Sequence, residues 1–347
     1  MKKSIKLLAL IAAVVMTVAM FAACGNSTAD VSLIEPATSD EPAEKVKVNI
    51  GTLKGPTGIG MTWLLDGADK GTANNDYAYT IAAAPDELTG KLVSGALDIA
   101  ALPTNAAAAL YKKANGGVKL LALNTLGVLY ILENGENVKS VADLKGMKIG
   151  ASGQGAVPEF VLDYVLSENG IDPEKDVTIE WFDEHSELAA KMLADKIDVA
   201  IVPEPFVTTI TMQNKEIRVA LNMTEEWDKV ADCTLSMGCI AVRTDFAENN
   251  PEAVKLFLDE YAASVEKANN SIDETANLCV QYEIVAKAPV AVSAIPRCNM
   301  VTVTGNEMVT QISGFYDLLF KFNPQLIGGA LPDDNFYYKA SYVNKTL

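Results

Sequence analysis

The sequence predicts an α/β protein made of two βαβαβ lobes joined by hinge strands around a central cleft. Three observations carry this. A strand–helix–strand segment recurs at an offset of 100 residues, each copy alternates β-rich with helical runs, and each copy opens with a strand that runs into a glycine loop. With 347 residues, 49% of them hydrophobic, the chain has material for two domains, since single cores stop growing near 250–300 residues.

The first 44 residues read as an address and a tether. Met1, Lys2, Lys3 and Lys6 open a basic stretch, residues 7–23 are apolar, and Ala22-Ala23 precede Cys24. A charged start, a short apolar core and small residues before a cut describe a secretory signal peptide over residues 1–23. The apolar run is about 17 residues, short of the roughly 20 that a spanning helix needs. Residues 24–44 are small, polar and acidic, with two prolines and no periodicity, which reads as a flexible tether.

The first unit starts with a β-rich run at 46–50, the loop Gly55-Pro56-Thr57-Gly58 and a helical stretch at 59–68. A second strand at 77–82, a short helix at 86–94 and a buried strand at 98–102 follow. The second unit repeats the order: 147–150, Ser152-Gly153-Gln154-Gly155, 156–168, 177–182, 186–194 and 198–202. Six of the 19 positions of 85–103 are identical in 185–203: Glu87/Glu187, Leu88/Leu188, Lys91/Lys191, Asp98/Asp198, Ala100/Ala200 and Pro103/Pro203. Between the units, 118–124 and 128–132 flank Thr125-Leu126-Gly127, and after the second comes the β-rich run 235–242; these are the hinge strands. Asn250-Pro251 opens a helix whose Val254, Phe257, Leu258, Tyr261 and Val265 share one face. Helical stretches at 272–282 and 306–321 follow, with no third copy, so the chain returns to finish the first lobe. The expected division is 45–128 plus about 246–347 for lobe 1 and about 129–245 for lobe 2.

Composition excludes several functions. The formal charge is −17, and removing the signal peptide with its three lysines makes the remainder more acidic still. Such a surface repels phosphate backbones, so nucleic acid is not an expected partner. The one histidine, His185, removes most histidine-based triads and metal sites; no metal or cofactor is expected. Cys233, Cys239, Cys279 and Cys298 allow three pairings in an exported chain; the reading favoured is buried or free thiols.

Several stretches resemble a known group. The Cys24 junction resembles a bacterial lipobox, with Phe21 where Leu is commoner. The Gly-Pro-Thr-Gly loop, "DIAALPTNAAAAL", "SVADLKGMKIGASGQGA" and "VAIVPEPFVTT" resemble ABC-importer solute-binding proteins of the nitrate/sulfonate/taurine and thiamine-pyrimidine group, which have the type II periplasmic-binding-protein fold. The resemblance covers nearly all of 45–340. It implies an extracytoplasmic protein, lipid-anchored through Cys24 to the cell membrane. It also implies a monomer that is not an enzyme, captures a small solute and delivers it to a cognate permease and ATPase. A ligand-sensing lipoprotein of the same fold is the alternative, and a pyrimidine-synthase-like enzyme a remoter one.

Ligands of parallel α/β sheets sit beyond the carboxyl ends of the strands, where helix N-termini offer backbone N–H groups. Gly55, Pro56, Thr57 and Gly58 in lobe 1 and Ser152, Gly153, Gln154 and Gly155 in lobe 2 are the expected ligand loops; turn-making alone would also explain their glycines. Thr104, Asn105 and Glu204 end the third strands, although Glu204 suits a solvated helix start equally. Trp181 and Phe182 point to opposite faces of a strand, one to the core and Trp181 toward a flat ligand. Arg297 is placed to pair with an anionic ligand or to be a surface charge. His185, between acids, reads as a surface or capping residue. The expected solute is a sulfonate-like anion or a pyrimidine-like heteroaromatic.

Overall fold

The computed structural model describes residues 45–339. The signal peptide, Cys24 and the tether lie outside the described residues.

The first unit forms β1 (Lys47–Leu53), α1 (Pro56–Asp69), β2 (Asp76–Ala82), α2 (Pro85–Ser94), β3 (Ile99–Pro103), α3 (Thr104–Lys113) and β4 (Val118–Thr125). After a crossing at 126–128 come β5 (Leu129–Asn134), β6 (Lys148–Ser152), α4 (Val157–Glu168), β7 (Thr178–Phe182) and α5 (His185–Leu193). Then follow β8 (Val199–Pro203), α6 (Phe206–Gln213), β9 (Ile217–Asn222) and α7 (Met223–Asp228). The return consists of β10 (Gly238–Arg243), α8 (Thr244–Asn249), α9 (Pro251–Asn270), α10 (Ile272–Gln281), α11 (Ala288–Ala294), β11 (Met300–Thr304) and α12 (Gly305–Phe322).

Two sheets result, ordered β11-β4-β10-β3-β1-β2 and β7-β6-β8-β5-β9. In each, the strands of the duplicated unit run parallel: β1 with β2 and β3, β6 with β7 and β8. The repeat offset survives in space, since α2 and α5 start at 85 and 185, and β3 and β8 at 99 and 199.

The expected extent of lobe 2, to about 245, needs correction. Strand β10 lies antiparallel between β3 and β4, so 238–243 belong to the first sheet and the second crossing precedes Gly238. Both β3 and β4 offer it a ladder, and its apolar run is buried on both faces there. Helix α1 also begins earlier than expected. Pro56 occupies its first turn, where the fixed φ suits a helix and the missing N–H is not needed.

The crossings are tied together. Met237 N–H donates to Thr125 O (3.0 Å), Leu126 N–H to Asn299 O (3.1 Å) and the Asn299 amide to Gly127 O. On the side of α12, an aromatic cluster spans the lobes. Phe160 of α4 and Trp227 of α7 each lie 5.8 Å from Phe315 of α12, and 5.7 Å from one another, between ring centroids. Phe160, Trp227 and Phe315 are fully buried. All four described cysteines are free thiols, three buried and Cys233 half-buried. No helix among the described residues is long and apolar enough to cross a membrane.

Candidate functional site: a cleft built from both units

A cavity of about 1160 Å³ opens where the carboxyl ends of both sheets converge. Matching loops of the two units form it: Lys54–Thr57 and 156–158 after β1 and β6, Pro85 and His185 after β2 and β7, Asn105 and Glu204-Pro205 after β3 and β8. Thr125, Met237 and Gly238 of the crossings contribute a further wall, and the loop 284–290 between α10 and α11 another.

Its electrostatics follow from the helix starts. Helices α1, α3, α4, α5 and α6 begin at Gly55, Pro103, Ala156, Glu184 and Pro205, all cavity-lining, and none of these accepts a capping hydrogen bond on its side chain. First-turn N–H groups have no partner inside a helix, so the starts of α1, α3, α4 and α5 present donors and partial positive charge to the cavity, while the Glu204 carboxylate occupies that of α6. Much of the remaining wall is apolar, with Leu53, Pro85, Val128, Phe206, Met212 and Ile284. Lys54 and Lys287 also line it, and both side chains are exposed.

Of the expected site residues, Gly55, Pro56, Thr57, Asn105 and Glu204 line the cavity. The Glu204 side chain is buried, and its oxygens accept from Thr208 N–H (3.2 Å) and Thr208 Oγ1 (3.0 Å). It is thus a buried helix-start charge, not a solvated one. Desolvation pushes its pKa up, opposed by the Thr208 bonds and Arg297.

The others are placed differently. Arg297 pairs with Glu204 at 3.5 Å, is nearly half exposed and does not line the cavity, which makes it a surface charge leaning on a buried carboxylate. Thr104 is fully buried; its hydroxyl donates to Ser236 O (2.7 Å) and its carbonyl accepts from Tyr316 (2.9 Å), which makes it a strut under α3. Trp181 packs against the main hydrophobic core instead of facing the cavity, and Phe182 joins the core of lobe 2. Gly58 is buried in α1, while Gly153, Gln154 and Gly155 precede the segment 156–158 that does line the cavity. Ser152 is buried, with Oγ 2.5 Å from His185 Nδ1.

His185 is a cavity residue, contrary to the surface or capping role read from its acidic neighbours. Its ring lies 5.6 Å from that of Phe206, and burial lowers its pKa against the raising effect of Glu184. Phe206 and the loop 284–290 carry no sequence signal for a site; only the fold brings them there. No group of three or more His, Cys, Asp or Glu side chains that could hold a metal occurs among the described residues.

This architecture, with two duplicated lobes on crossing strands and a cavity between their strand ends, is the periplasmic-binding-protein fold. A solved ABC transporter chain from Parabacteroides distasonis is 23% identical, covers 85% of this chain and 99% of its own, and superposes with a TM-score of 0.73. The periplasmic aliphatic sulphonate binding protein SsuA from Escherichia coli is 16% identical, with 82% and 94% covered and a TM-score of 0.67. Residues 104–274 match the family model described as NMT1/THI5 like. A Brucella abortus chain named as a putative binding protein is 26% identical over 243 residues, 67% of this chain and 72% of the relative. The comparisons return the group that the sequence motifs resemble.

Proposed function

We propose that this protein is the extracytoplasmic solute-binding component of an ABC importer, lipid-anchored through Cys24, that captures a small organic solute and hands it to a cognate permease. One observation carries the reading: equivalent loops of a duplicated unit meet around a single cavity, so one solute touches both lobes and favours their closure. The starts of α1, α3, α4 and α5 suit an acceptor-rich group, such as a sulfonate or a ring carbonyl, and the apolar wall suits an alkyl or heteroaromatic body. The site reads as non-catalytic. Ser152, the hydroxyl beside the lone histidine, is 2% exposed and does not line the cavity.

The test is mass spectrometry of small molecules released by denaturing the purified protein, followed by small-angle scattering with the identified compound. A bound organic solute that reduces the radius of gyration supports the reading. A compound that is chemically converted on incubation, or saturating binding with no compaction of an initially open protein, overturns it.

A further inference from the structure

We propose that His185 is a solute-contacting residue that donates a hydrogen bond from Nε2–H into the cleft, and that Ser152 is the positioning residue that sets its tautomer. This rests on the solute-binding reading above and assigns one side chain a role in it.

Ser152 ends β6 at 2% exposure, and the one partner of its hydroxyl among the described residues is His185 Nδ1, at 2.5 Å. A buried hydroxyl proton left without an acceptor is costly, by roughly 1–3 kcal/mol. The Ser152 proton therefore goes to Nδ1, which must be the unprotonated nitrogen. Burial keeps the ring neutral, so its single proton sits on Nε2. With Nδ1 taken by the serine and Phe206 alongside, Nε2–H is the donor that this cavity-lining ring has left to offer a solute.

The duplication supplies an internal control. Ser152 pairs in register with Phe182, as Leu53 pairs with Ala82, so Leu53 is the lobe 1 counterpart of Ser152. Pro85 is likewise the counterpart of His185, each being the first residue of its helix. Lobe 1 thus builds the same corner from an apolar pair, Leu53 and Pro85, both lining the cavity. A hydroxyl–imidazole pair is not required to fold this corner; it makes the two sides of the cleft chemically unlike. The partner it recognises is an acceptor atom on the solute: a carbonyl or sulfonate oxygen or a ring nitrogen.

The single histidine makes the test direct, provided that the purification tag contains none. Long-range ¹H–¹⁵N spectra of the full mature chain should show protonated Nε2 and bare Nδ1, and Ser152→Ala should relax this to a tautomer mixture while melting cooperatively. Protonated Nδ1 in the parent overturns the proposal. Binding is then read by thermal shift with three probes: ethanesulfonate, cytosine and a protein-free metabolite extract. A stabilising probe should move the Nε2 resonance, His185→Phe should weaken its binding roughly 10–100-fold, and His185→Gln, which keeps a donor near Nε2, should lose less. A probe that stabilises the parent yet leaves Nε2 unmoved, or binds His185→Phe equally well, overturns the proposal and spares the solute-binding reading. No stabilisation by any of the three overturns both.

Discussion

Replacing Gly58 and Gly155 by alanine, one at a time, separates two roles that look the same in the sequence. A Cβ on Gly58 would overlap the Leu53 carbonyl oxygen and lie 3.0 Å and 3.3 Å from the two γ-carbons of Ile284. No rotamer relieves overlap with a backbone oxygen, so α1 must lift from the end of β1. Overpacking of this kind costs about 1–3 kcal/mol, and the backbone partner places it in the upper half of that range. At about 2–4 °C per kcal/mol for a body of this size, Gly58→Ala should melt roughly 4–12 °C below the parent. Gly155 has a φ of +71° and no atom within 4 Å of where a Cβ would sit, so alanine there meets only backbone strain. That strain is about 1–2 kcal/mol, or roughly 2–8 °C.

Solute at a hundredfold excess over its Kd adds about 2.7 kcal/mol, a further rise of roughly 5–10 °C. Gly155→Ala should keep this rise in full, since Gly155 does not line the cavity. Gly58→Ala should lose part of it, because Gly55, Pro56 and Thr57 move with α1. Differential scanning fluorimetry with and without solute measures both. A Gly58→Ala protein that melts with the parent, or a Gly155→Ala protein that loses its binding shift, refutes this division of roles.

Three further outcomes are expected. Burial and the nearby Glu159 and Glu174 push the Asp163 pKa up from 3.8 to about 6, so its contribution to stability is complete below 3.8 and is lost as pH rises through about 6. Asp163→Asn should therefore gain roughly 1–2 kcal/mol at pH 7.5, after discounting for its partial exposure, and little at pH 4.5, as read by thermal melts at the two values. Glu133, 2% exposed, accepts from Arg218 at 2.5 Å and from the N–H groups of Asn137 and Val138. Glu133→Ala strands the buried Val138 N–H and leaves Arg218 with only the Gly135 and Val138 carbonyls, so it should cost about 2–3 kcal/mol in denaturant unfolding; a loss under about 1 kcal/mol would show the pair to be incidental. Cys24→Ala should move the protein from the membrane fraction to the soluble one, and retention with no acyl group detected would sink the anchoring proposal.

The repeat at offset 100 was enough to locate α2 with α5 and β3 with β8, because each copy must bury the same apolar faces to fold at all. The type of sheet followed from the order of elements. Strand β11 was not legible: Met300–Thr304 is short and half-buried, and it becomes a strand only because β4 offers it an edge. The same holds for β10, whose residues suit a hinge strand as well as a sheet interior until β3 and β4 flank it. In the cleft, the strand-end rule reached Gly55–Thr57, Asn105 and Glu204, since it depends only on where a strand stops.

What the rule does not contain is which side chain a neighbouring element claims. Arg297 leans on Glu204 from 93 positions away, while Trp181 is taken by the core and Thr104 by Ser236 and Tyr316. His185 runs the other way, drawn from an acidic stretch into the cavity by a serine 33 residues earlier. The duplicated βαβαβ architecture and the loops that face the cleft were readable along the chain, because local periodicity and strand ends are properties of contiguous residues. Which polar groups are spent on one another, and which remain for a solute, was settled only on folding. Desolvation and hydrogen-bond partnership depend on residues distant in the chain that the fold alone brings together.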